Sequence, residues 1–156
     1  MVGQDTGQFN LLKVKNQFES VSSVLLNQLS MVYKLEMLEN DFDSEAYRFI
    51  CGTNNGIHII TIHKQTGEIK LNTRNNWLTG RVVNQMLVRG NMVIAFIYDY
   101  HKFKLINIKT NQTSEFPWLR DTPILCTGLK WAPNFHPSEN SIIFIRDPNG
   151  VHMINT

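Results

Sequence analysis

Cysteine is scarce in this chain: Cys51 and Cys126 are the only two among 156 residues. A disulfide framework or a thiolate zinc site needs more cysteine at closer spacing, so both read as buried free thiols within apolar, strand-like runs. Long hydrophobic runs are missing too. Nothing approaches the roughly 18 apolar residues of a spanning helix, and no basic-then-apolar leader opens the sequence. An intracellular address, cytoplasmic or nuclear and away from membranes, is therefore expected, and the sequon Asn111-Gln112-Thr113 is read as unused. Charge of one sign is also lacking. Fifteen Lys and Arg against thirteen Asp and Glu leave a net charge of +2, which argues against nucleic acid or an anionic membrane as partner. With 42% apolar and 18% charged residues, the composition is that of a folded domain rather than a disordered chain.

Catalytic signatures are absent from the sequence as well. There is no Gly-x-Ser-x-Gly elbow and no glycine loop to cradle a phosphate. The histidines His58, His63, His101, His136 and His152 are scattered without metal-ligand spacing to a cysteine or carboxylate. Asp41, Asp43 and Glu45 lie at alternate positions but lack the central glycine and the terminal bidentate glutamate of a calcium loop, so they read as a solvated acidic loop. No catalytic residue, metal ligand or cofactor is assigned.

What is present is a repeat. Four stretches superimpose: Gly7-Gln8-Phe9-Asn10-Leu11-Leu12-Lys13-Val14, Gly56-Ile57-His58-Ile59-Ile60-Thr61-Ile62, His101-Lys102-Phe103-Lys104-Leu105-Ile106-Asn107-Ile108 and Gly150-Val151-His152-Met153-Ile154-Asn155. Their first large apolar residues, Phe9, Ile57, Phe103 and Val151, are separated by 48, 46 and 48 residues. A period of this size marks repeated β-sheet units such as propeller blades.

Local patterning fills in each unit. Val32 to Leu38 alternates as a half-buried strand, Tyr47 to Thr53 is a second, Asn54-Asn55-Gly56 a tight turn, Ile57 to His63 a third and Glu68 to Asn72 a short fourth. The next unit repeats the order, and its run Met92 to Tyr98 suits a strand covered on both faces. The expected fold is all-β: one partial domain over residues 1–156, built of four-stranded antiparallel blades at roughly 1–20, 32–73, 82–118 and 125–156. Two of these are complete and two partial. Residues 20–31 read as a longer connection, and Val21, Val24, Leu25 and Gln28 have the spacing of a short helix.

On these stretches the chain resembles part of a WD-repeat-type β-propeller. Where that family commonly ends its third strand in Trp-Asp, this chain has Leu12-Lys13, Ile60-Thr61, Ile106-Asn107 and Ile154-Asn155, and no Gly-His pair occurs. The apolar pattern is kept and the polar signature is not. Related propellers, including the citron-homology type, fit the pattern comparably.

The resemblance implies a non-catalytic scaffold whose partners are proteins or further blades, with self-association through open blade edges as another route. The expected interaction face gathers turn residues: Asn54, Asn55, Asn76, Trp77, Arg81, Tyr100, His101, Trp118, Arg120 and Asp121. Trp, Tyr and Arg are the types that dominate interface hot spots. Equally open for Trp77 and Trp118 is a place filling gaps between blades, while Trp131 is expected in the core. Two alternatives stand beside the scaffold. One is a nucleic-acid face using Arg81, Arg89, Arg120, Lys102 and Lys104 with Tyr100 and Trp77. The other is an enzyme with a channel site involving Cys126 or His101.

Overall fold

The computed structural model describes residues 2–3, 8–14, 18–25, 31–38, 45–116, 125–131 and 142–155, with the backbone alone at 2–25 and 73–75. All regular structure among them is strand, apart from one short 3-10 helix. The chain divides into two compact units, residues 1–84 and 85–156.

The first unit holds two sheets. β1 (Val2–Gly3), β2 (Gln8–Val14) and β3 (Phe18–Leu25) form one, in that order, and β4 (Val32–Met37), β5 (Ala46–Thr53), β6 (Gly56–His63) and β7 (Ile69–Trp77) form the other. β3 corrects the helical expectation for the start of 20–31. Phe18 to Leu25 pairs antiparallel with β2, from Val14↔Phe18 to Gln8↔Leu25, with a register shift between Leu11 and Leu12 that skips Val21. The ladder to β2 outweighs a weak 3.6-residue period. Residues 26–30 lie outside the described residues. β7 also runs further than Asn72. Its register jumps from Ile59↔Asn72 to His58↔Asn76, so that a bulge carries the strand on to Trp77 beside Ile57.

Strands β5 and β6 bury both their faces. Alternation puts Ile50, Gly52, Ile57 and Ile59 on one face. Cys51, Ile60 and Ile62 occupy the other, where they cluster with Ile69 and pack with Val32, Leu35, Phe49 and Leu71. The approach to the first face is close: a Cβ on Gly52 would sit 2.6 Å from the carbonyl oxygen of Val83.

The second unit begins two residues into β8 (Val83–Arg89). It continues through β9 (Met92–Ile97), the 3-10 helix Tyr98–Tyr100, β10 (Lys102–Asn107) and β11 (Gln112–Glu115), which form a four-stranded sheet in chain order. β12 (Gly128–Trp131), β13 (Ile142–Asp147) and β14 (Gly150–Asn155) form a three-stranded sheet. One core joins the two sheets: Leu87, Ile94, Phe96, Phe103 and Phe116 pack with Cys126, Leu129, Ile143 and Ile145. The rings of Phe96 and Phe103 lie 4.9 Å apart and tilted, a favourable aromatic geometry. Trp131, expected in the core, is half-buried against it, and its indole N–H donates to the Val88 carbonyl at 3.3 Å.

Candidate interaction surface

The predicted turn Asn54-Asn55-Gly56 forms, but differently from a turn with two left-handed residues. Only Gly56 takes a positive φ, of 92°, the pattern of a type I turn followed by a glycine bulge. Thr53 organises it. The Thr53 hydroxyl donates to the Gly56 carbonyl at 3.0 Å and accepts from the Asn55 N–H at 2.9 Å. Both asparagine side chains are committed to the fold. The Asn54 Oδ1 accepts from the Met31 N–H at 2.8 Å, and the Asn55 Oδ1 accepts from the Gly80 N–H at 2.8 Å. The Gly56 N–H donates to the Arg81 carbonyl at 2.8 Å. Asn54, Asn55 and Arg81 are therefore brought together, by hydrogen bonds that bind one turn to the next.

Trp77 lies inside this construction and not on its surface. It is 5% exposed, and its indole Nε1 has no hydrogen-bond partner among the described residues. Its carbonyl and that of Leu78 press on Gly56, where an added Cβ would come within 2.4 Å and 2.7 Å of them. Leu78 itself stands at φ 58°, a costly conformation for a bulky side chain. Asn76 and the Arg81 side chain are exposed. Trp118, Arg120 and Asp121 lie outside the described residues.

In the second unit the β9–β10 turn brings Tyr100 and His101 together and adds Tyr98, which sequence reasoning did not single out. His101 closes the 3-10 helix at φ 51°, and its N–H donates to the Tyr98 carbonyl at 3.3 Å. Its ring stacks at 6.5 Å on Phe96, which is anchored in the core, and meets Tyr98 edge-on at 6.1 Å. Tyr98 and Tyr100 are left 46% and 52% exposed. A signal existed in the sequence: an apolar strand running straight into Tyr-Asp-Tyr has to release those rings at the turn.

A second feature missed in the sequence is Asp147. Its Oδ1 accepts from the N–H groups of Asn149 and Gly150 at 2.7 Å and 2.9 Å, and its Oδ2 meets His152 Nε2 at 2.6 Å. The His152 hydrogen bond, aided by the two backbone N–H groups, holds the carboxyl below its ordinary range. Asp-Pro-Asn-Gly is a turn signature with aspartate in its capping place.

Neither cysteine is set up for nucleophilic attack. Burial pushes the Cys51 thiol up to about 12 and the Cys126 thiol up to about 11, the Asp147 carboxylate adding to the latter. Neither is primed as a thiolate at neutral pH. Burial also lowers the pKa of His58, against a backbone hydrogen bond to Asn55 that works the other way. No group of three metal-ligating side chains occurs among the described residues. The nucleic-acid alternative loses Trp77 as a stacking ring. Lys104 is ion-paired with Glu115 across β10–β11, and Arg89 lies over the Trp131 ring at 5.4 Å.

Antiparallel sheets laid down strand by strand in chain order, with β5, β6 and β9 covered on both faces, define part of a β-propeller. Among solved structures the chain is similar to Sqt1 of Saccharomyces cerevisiae, a WD40 β-propeller protein. The match covers 98% of this chain and 43% of that one, with a TM-score of 0.65 at 14% identity. The chain thus spans less than half the length of the propeller it resembles. No protein-family model and no curated protein matches it. No helix among the described residues is long and apolar enough to cross a membrane.

Proposed function

We propose that the chain is a stretch of a non-catalytic propeller that holds protein partners within a larger assembly. The observation that carries this reading is the β9–β10 turn, where Tyr98 and Tyr100 stand exposed on a short helix fixed by His101 against the core. Rigid, half-exposed tyrosines give large contact area with little ordering entropy, which is why they recur at the centres of interfaces. Partners are proteins or further blades, and open sheet edges provide a route to self-association. Two unpaired thiols suit an intracellular, cytoplasmic or nuclear address.

The test is quantitative affinity purification of the native chain beside a Tyr98→Ala/Tyr100→Ala double variant. Loss of a specific partner by about tenfold or more is expected if either ring is a hot spot. Full retention of every partner by a folded double variant would overturn the reading.

A further inference from the structure

The first unit contains a cavity of about 320 Å³, at the end of the β4–β7 sheet away from the Thr53–Gly56 turn. Register builds it. Met37 pairs with Phe49 and Tyr47 with Ile62, so these four side chains stand together on one face of the sheet. It is the face that carries Cys51 and Ile60. Towards those two residues the face is closed, and both are fully buried. Towards the cavity it opens: Met37 and Tyr47 are each 50% exposed, while Ile62 beneath them is only 5% exposed. A buried apolar floor between half-exposed walls is a socket, at the small end of the ~300–1,000 Å³ of ligand pockets. It has room for one large side chain.

The rim is polar and held in place by the β6–β7 turn. The Lys64 ammonium lies 5.1 Å over the Tyr47 ring, and the Lys64 N–H donates to the Glu45 carbonyl at 2.8 Å. The His63 Nδ1 accepts from the Thr66 N–H at 3.3 Å, which leaves Nε2 as the donor of that ring. The Glu45 carboxylate stands 3.7 Å from this Nε2. Lys64 and His63 both line the cavity, and among the described residues no carboxylate does.

We infer that this cavity takes a large apolar side chain of a partner protein that carries a carboxylate beside it. The side chain is seated on Ile62 and Phe49, and the carboxylate meets Lys64 and His63 at the rim. Complementarity selects this occupant. The floor is satisfied only by hydrocarbon leaving water, the rim supplies donors that call for an acceptor, and a cationic segment would be set against Lys64. An ammonium offers three donors, so Lys64 takes the carboxylate in addition to the contacts it already makes. Met37, with its pliant thioether chain, can repack around the incoming group. The site lies apart in sequence and in unit from the Tyr98 turn and does not depend on it.

Methyl NMR of the 156-residue chain, titrated with the peptide acetyl-Gly-Phe-Glu-Glu-Gly-amide, is expected to shift the Met37 and Ile62 methyl signals. Alanine in place of the peptide's phenylalanine should weaken binding about tenfold or more. Glutamine in place of its glutamates should weaken it about fivefold. Met37→Asp is expected to reproduce the first loss and Lys64→Glu the second, each with unchanged circular dichroism. Unmoved methyl signals, equal affinity for the glutamate and glutamine peptides, or full affinity in Lys64→Glu would each overturn the inference. The chain's own Asp41-Phe42-Asp43 has the same chemistry as the proposed occupant. Phe42→Ala is expected to leave peptide affinity unchanged, and markedly tighter binding by that variant would give the cavity to the chain itself and overturn the partner. Tyr98→Ala/Tyr100→Ala is expected to bind the peptide as the native chain does, so the two sites fail or stand separately.

Discussion

Two hairpin turns at equivalent places, Thr53–Gly56 and Asp147–Gly150, perform the same backbone task with different chemistry. In each, the first residue accepts a hydrogen bond from the N–H two positions on. The first turn is roofed. Residues 77–81 lie over it, their carbonyls and N–H groups saturate it, and a buried neutral hydroxyl is sufficient. The second is open: a Cβ added at Gly150 would meet nothing within 4 Å, and a carboxylate paired with His152 organises the loop. Asp147 is itself only 9% exposed, and its charge is tolerable there because two backbone N–H groups and the His152 ring satisfy it, whereas the roofed turn uses a neutral hydroxyl. The two histidines follow suit. His58 is buried beside the roofed turn and His152 is half-exposed beside the open one.

The largest break in this comparison is expected at Gly56. An alanine there meets both an unfavourable φ and the Trp77 carbonyl, and should lower stability by about 3–5 kcal/mol in denaturant unfolding. Gly150→Ala involves strain without collision and should lose only about 1–2 kcal/mol. Equal losses at the two glycines would show that the roof is not tight. The roof itself is tested at Trp77. Trp77→Ala is expected to cost about 3–5 kcal/mol. Trp77→Phe should stay within about 1 kcal/mol, because the indole N–H it removes has no partner among the described residues.

Smaller effects separate hydroxyl from carboxylate. Thr53→Val removes an acceptor and a donor from a buried turn, and calorimetry should register about 1–2 kcal/mol of lost stability, independent of pH between 3 and 8. Asp147→Asn should lower the melting temperature at pH 7. Because the folded-state pKa of Asp147 is depressed, its stabilisation is present above the ordinary carboxylate value of about 3.9 and is lost as pH falls through the lower folded value. The two melting curves should therefore converge in acid. A gap that persists unchanged at pH 2 would remove the ionised carboxylate from the explanation.

Much of this architecture was legible in the sequence, because a repeated apolar alternation and Asn-Asn-Gly or Pro-Asn-Gly turns are local signals. Phe18 to Leu25 misled because serines and valines there carry a faint helical spacing, and only the pairing with β2 decides the matter. For Trp77 the sequence left a surface contact and a gap-filling place equally open, since its burial follows from a three-residue bulge at 73–75 that no local pattern announces. Of the expected contact residues, Tyr100 and His101 stand together at one turn, whereas Asn54 and Asn55 spend their side-chain oxygens within the fold. Polar turn residues look alike in sequence whether they face a partner or a neighbouring loop.

Every ladder described in this chain joins strands that are consecutive along it, β1 to β3, β4 to β7, β8 to β11 and β12 to β14. Among the described residues no backbone ladder crosses from one sheet to another, and the Trp131 indole bonded to the Val88 carbonyl is a side-chain link. A gene rearrangement cut between sheets would sever no ladder, so blades of this kind can be gained, lost or exchanged as whole modules. Divergence can then erase the polar signature of each repeat while its period persists.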